Sequence, residues 1–153
     1  MNILKKIIQA TSVITLIISS FNCNASDLVM MRVKQSFPET MVNLQSAIKK
    51  TGYTISRVQR VDIGLTKSGF KTDKYRVVFY GKAGEVAKLT KKSPDIAAFL
   101  PLKISIFAEG NETILVSKNP VIMQNYFKEI PKSQFKDWAD DLGKIFALTN
   151  VID

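Results

Sequence analysis

Ser36–Gly52 reads SFPETMVNLQSAIKKTG, and its punctuation is that of a complete helix. Ser36 and Glu39 stand at capping-box spacing, so hydroxyl and carboxylate can each satisfy a free amide of the first turn. Phe37, Met41, Leu44 and Ile48 follow at steps of four, three and four, which puts them on one face. Lys49 and Lys50 occupy the last turn, where the helix dipole favours cations, and Gly52 supplies the left-handed stop. A helix with one apolar face needs a second layer to cover it, and the flanking sequence supplies that layer as strands.

Upstream, Leu28 to Lys34 is a short strand rich in Val, Leu and Met. Downstream, Tyr53 to Asp62 is a second strand. Tyr53 and Ile55 alternate with polar neighbours, and Val58 and Val61 break the period of two, which predicts a bulge near Arg57. Gly64 to Lys74 reads as a connector with two glycines, Gly64 and Gly69. Tyr75 to Tyr80 (YRVVFY) is a strongly β-forming strand, expected to be central and ended by Gly81. Glu85 to Lys92 reads as a short helix, and Asp95 to Leu100 adds a turn. Leu102 to Ala108 and Thr113 to Ser117 form a hairpin around Gly110-Asn111, closed by Asn119-Pro120. After an irregular stretch at Tyr126-Phe127, Ser133 is expected to cap a last helix, about 133–149. Phe135, Trp138, Leu142, Ile145 and Phe146 share its apolar face. The principal order is β-α-β-β-β-β-α. It predicts an α+β domain of two layers, a mostly antiparallel sheet with helices on one face.

Several ordered motifs resemble the domain of unknown function 302 family: Gly52-Tyr53-Thr54, Arg60-Val61-Asp62, Tyr75-Arg76-Val77-Val78-Phe79-Tyr80-Gly81, Leu100-Pro101-Leu102 and Ser117-Lys118-Asn119-Pro120. The likeness runs from about Met31 to Pro120. It implies a TATA-box-binding-protein-like fold and brings no established biochemical activity. Many members carry a His directly after the strand-ending Asp; this chain has Ile63 there.

Residues 1–25 have the form of an export signal. Lys5 and Lys6 open it, Ile7 to about Phe21 is mostly apolar, and Cys23-Asn24-Ala25 offers small residues for cleavage between Ala25 and Ser26. The apolar run is nearer fifteen residues than the about 20 a membrane-spanning helix needs. An uncleaved anchor and lipidation of Cys23 are the rival readings. The expected product is periplasmic or secreted, one domain over residues 26–153, without a stable transmembrane span. Since Lys5 and Lys6 are the only charges in the leader, it keeps +7 of the whole chain's +9.

The chain contains no His, and its one Cys lies in the leader. That removes His general-base catalysis, Ser-His-Asp triads, His-ligated zinc or haem, and Cys nucleophiles or clusters. An oxygen-ligated ion would need an Asp-rich loop, and none has calcium-binding spacing. Asp140-Asp141 is the only acidic doublet and falls on a helix. No metal and no cofactor is expected.

Four features could bind something, each with a plainer alternative. Between Lys67 and Lys92 stand Lys67, Lys71, Lys74, Arg76, Lys82, Lys88, Lys91 and Lys92, opposed by Asp73 and Glu85 alone. They suit an anionic partner such as a phospholipid head group, a cell-wall polymer or an acidic small molecule; solvation is the ordinary role of such a run. Gly81-Lys82-Ala83-Gly84-Glu85 could present a helix N-terminus to an anion, or Glu85 could simply complement the dipole. Asp62 could contact a cation or cap a turn. Phe79, Tyr80, Phe107, Trp138 and Phe146 could line a pocket between sheet and last helix, or form the core. The candidate ligand-binding residues are thus Asp62, Lys74, Arg76, Lys82 and Trp138. No groove-reading motif points to nucleic acid. The leading reading is an exported, non-enzymatic binding or accessory protein for a small anionic or amphiphilic ligand. The alternatives are a structural or oligomerising envelope module, pairing as a homodimer along a strand edge, and a carboxylate-based enzyme using Asp62, Glu85 or another Asp or Glu as base.

Overall fold

The computed structural model describes residues 27–150; the leader and its Ala25–Ser26 junction lie outside the described residues. Five antiparallel strands form one sheet in the order β1-β5-β4-β3-β2: β1 (Leu28–Val33), β2 (Thr54–Arg60), β3 (Tyr75–Gly81), β4 (Leu102–Glu109) and β5 (Glu112–Lys118). The helices are α1 (Phe37–Lys50), α2 (Val61–Lys67), α3 (Ala83–Lys92) and α4 (Lys132–Thr149). Single 3₁₀ turns run over Pro94–Ala98 and Pro120–Asn125. The α+β reading of an antiparallel sheet with helices packed on it holds.

The caps explain where elements begin and end. The Glu39 carboxylate accepts from the Ser36 amide at 3.1 Å and from its hydroxyl at 2.6 Å, closing the capping box on α1. At the far end Gly52 has φ +82°, its amide donates to Lys49 O and the Tyr53 amide to Ile48 O: a Schellman stop. Gly110, at φ +60°, opens the two-residue hairpin turn between β4 and β5, as a type II′ turn requires. The register of β2 against β3 shifts between Ile55 and Arg57, which is the bulge expected there.

Three boundaries differ from the sequence reading, each for a local reason. Residues Val61–Lys67, read as strand end and connector, form helix α2. Asp62 in its first turn complements the dipole, and Gly69 at φ +85° ends it with a Phe70 amide to Leu65 O bond, so this glycine is helix punctuation and not loop filling. Helix α3 starts at Ala83, two residues early, because the Val86 amide already reaches Lys82 O at 2.9 Å. Ser133 does not cap α4. Pro131, in extended conformation, is the boundary residue, and Ser133 falls inside the first turn.

Strand alternation sorts the sheet into two faces. Val33, Val78, Tyr80, Ile104, Ile106 and Leu115 point at the helices and are at most 1 % exposed. They meet Leu44 and Ile48 of α1 and Phe135, Trp138, Leu142 and Ile145 of α4, so the helix faces read from spacing are the buried ones. Phe135→Ala should therefore cost about 3–5 kcal/mol. Phe107→Ser, on the opposite face of β4, should cost about 1–2 kcal/mol. Urea unfolding of the two variants measures the difference.

Candidate functional site

The sequence candidates do not converge on one cleft. Arg76 and Lys82 flank the two ends of β3, roughly 20 Å apart at strand rise. Asp62, Lys74 and Arg76 fall at one end of the sheet, and Lys82 and Trp138 at the other. The eight cations of the basic run are likewise divided between α2, the β2–β3 connection, β3 and α3.

At the first end the Asp62 carboxylate pairs with Arg76, both side chains about 15 % exposed, and the guanidinium lies 5.8 Å from the Phe37 ring centroid. The Arg76 hydrogen bond holds the Asp62 carboxyl below its ordinary range. Lys74 borders a shallow cleft of about 550 Å³ with Ser36, Phe37, Pro38, Asp73, Gly110 and Asn111. Asp73 lines the same cleft with the opposite charge, and the neighbouring helix N-terminus is already capped by Glu39.

At the second end Glu85 faces into the fold instead of toward the α3 terminus alone. It accepts from Trp138 Nε1 at 3.0 Å and from Gln134 Nε2 at 2.9 Å, tying α3 to α4. Beside it Asp141 accepts from the Tyr53 hydroxyl at 3.0 Å and from Lys144 at 3.0 Å, with Lys82 at 3.7 Å and also over the Tyr53 ring at 4.4 Å. Burial opposes the charge on Asp141, but the bonds from Lys144 and Tyr53 outweigh it and its carboxyl sits low. Burial, with the Asp141 contact, pushes the Tyr53 phenol up. The sequence reading missed Asp141 as a network member; the Asp140-Asp141 doublet marked an acid on α4 without saying which of the two turns inward.

The aromatic pocket divides. Tyr80, Trp138 and Phe146 are core, whereas Phe79 and Phe107 alternate onto the opposite sheet face. Among the described residues no helix lies on that face, and the strand register orders it in four transverse rows. In the first, Leu28 stands beside Lys118, and Lys103, Phe79 and Arg57 are paired in turn. The second runs Met30, Val116, Ser105, Val77 and Gln59, and the third Arg32, Ile114, Phe107 and Tyr75. The fourth pairs Glu112 with Glu109. Leu28 and Met30 are 52 % and 63 % exposed, and Tyr75 packs edge-on to Phe107 at 6.1 Å. Arg32 bridges Glu109 and Glu112. The face is thus an apolar band with three cations at one end and acids at the other.

Among the described residues the two buried-end carboxylates are acceptors filled by fixed donors, and no group of His, Cys, Asp and Glu is placed to hold a metal. No described helix is long and apolar enough to cross a membrane. The arrangement defines a two-layer α+β domain with two ion-paired ends and one uncovered sheet face. The chain belongs to the family described as domain of unknown function DUF302, whose model matches residues 29–148 and so includes α4. Its fold is similar to the crystal structure of an uncharacterised conserved DUF302 protein from Bacillus stearothermophilus, at TM-score 0.66 and 19 % identity, over 82 % of this chain and 97 % of that one. No curated protein matches the chain.

The paired carboxylates set the acid response. Asp62 and Asp141 are lowered from their ordinary 3.8 in the folded state, so their contribution is complete above that value and is lost as pH falls through the folded values. Urea midpoints followed from about pH 6 to about pH 2 should fall in acid, and less steeply for Asp62→Asn than for the parent. Glu85→Ala, which strands the Trp138 indole N–H, should cost about 1–3 kcal/mol at neutral pH.

Proposed function

We propose that this is an exported, non-enzymatic binding or accessory domain that works through the uncovered face of its sheet. The observation that supports this most is the apolar band of Met30, Val77, Phe107 and Val116, flanked by Arg57, Lys103 and Lys118. A monomeric domain gains nothing from leaving such a band in water, and bands of this kind mark docking surfaces. A ligand for it presents apolar surface together with negative charge, which is the chemistry of an anionic amphiphile or of an acidic-edged protein surface. The Lys74 cleft is a weaker candidate, since Asp73 lines it beside the lysine and the adjacent Ser36 amide is taken by Glu39.

Export rests on the leader: cleavage between Ala25 and Ser26 leaves β1 whole, with the Asp27 carbonyl still accepting from the Asn119 amide at 2.8 Å. Intact-mass measurement of protein recovered from its source compartment should find Ser26 as the first residue. The binding reading is tested with laurate as probe, below its micelle concentration and at high protein dilution. Amide and methyl shifts should move at Met30, Val77, Phe107 and Val116. Shifts confined to the helix side, or none, overturn the reading.

A further inference from the structure

We infer that the partner of the uncovered face is a second copy of this chain, docked sheet against sheet about a two-fold axis that runs across the strands. The inference rests on the open face being the binding surface, and adds what fits it.

The four rows are ordered by charge. Arg57, Lys103 and Lys118 lie at one end of the face, Glu109 and Glu112 at the other, and between them lie two mainly apolar rows in which Arg32 is the one charge. Asp27 and Lys34 flank β1, and each tempers one end. Arg32 neutralises part of the acidic row, and Asp73, which lines a cleft with Tyr75 and Phe107, adds a further acid at that end. The two ends stay opposite in sign.

Two copies facing each other must be related by an axis lying between the sheets. An axis along the strands would set each row on its own equivalent, base on base and acid on acid. An axis across the strands sets the Arg57–Lys103–Lys118 row of one copy on the Glu109–Glu112 row of the other. It also lays the Met30–Val77 row on the Ile114–Phe107–Tyr75 row. The face therefore complements itself in charge and in polarity in one orientation only, which is what an isologous interface needs. A purely basic partner would leave the cations at one end opposed, and a purely acidic one would meet Glu109 and Glu112.

Size agrees with this. Five strands at about 4.8 Å spacing and six to seven residues at about 3.4 Å rise give a projected face of roughly 500 Å². Side-chain relief raises the accessible area above the projection, toward the about 800 Å² per partner of a standard interface.

Sedimentation equilibrium of the purified protein over a range of concentrations tests the proposal, with Val77→Lys, Lys103→Glu and Glu109→Lys as variants. The parent should dimerise reversibly, and Val77→Lys should abolish the dimer while leaving the circular-dichroism spectrum unchanged. Lys103→Glu and Glu109→Lys should each weaken the homodimer about tenfold by opposing like charges. An equimolar mixture of those two should restore association, because each altered row then meets its complement. A strict monomer, a dimer indifferent to Val77→Lys, or a mixture no stronger than its components overturns the self-docking. If the protein is monomeric while laurate still perturbs Met30 and Phe107, the binding face survives and the second copy is excluded. If neither association nor perturbation occurs, both readings fall.

Discussion

The domain depends on one-sided burial. The apolar faces of α1 and α4 pack on each other and on one face of the sheet, where Val78, Tyr80, Ile104, Ile106 and Leu115 meet them, and Met123, Phe127 and Ile130 complete the cover. At roughly 25 cal/mol for each Å² of apolar surface removed from water, this one contact layer dominates the stabilisation. Strand order follows from the same constraint: with β3, β4 and β5 inside the sheet, the most apolar strands lie under the helices. The ion pairs at the two ends then act as orientation devices. Glu85 fixes how α3 meets α4 through Trp138, and Arg76 fixes α2 against β3 through Asp62.

Much of this was legible because local chemistry and global fold agree. The Ser36–Gly52 helix could be read from two caps and a four-three-four spacing, and each of those features sits where it was expected. The last helix could be read from its apolar face but not from its start. Ser133 looks like a cap, yet the conformation fixed at Pro131 decides the boundary two residues earlier. Helix α2 was hidden by Gly64 and Gly69, which read as loop residues. The stop at Gly69 is local, but the pairing that holds the segment against β3 comes from Arg76, fourteen positions away.

Sites were harder to read than elements, and the reason is geometric. Lys74, Arg76 and Lys82 are close in sequence, but a strand carries its ends far apart, so the run of cations became two separate groups. The signal for the uncovered face was in the third strand all along. YRVVFY is apolar at both parities, with Val78 and Tyr80 on one side and Tyr75, Val77 and Phe79 on the other. That pattern belongs to a strand covered twice. A sheet whose described helices lie on one side leaves the second covering unaccounted for.

The displaced register at Ser56 has a further effect on how this sheet meets others. Extending a ribbon copy by copy requires both outer strands to offer straight, unobstructed backbone. β2 is one of the two, and it is kinked at its irregular position and bears exposed Arg57 and Arg60. Edge-to-edge extension is therefore disfavoured at that border, where a single extra residue breaks the ladder a neighbour would have to continue.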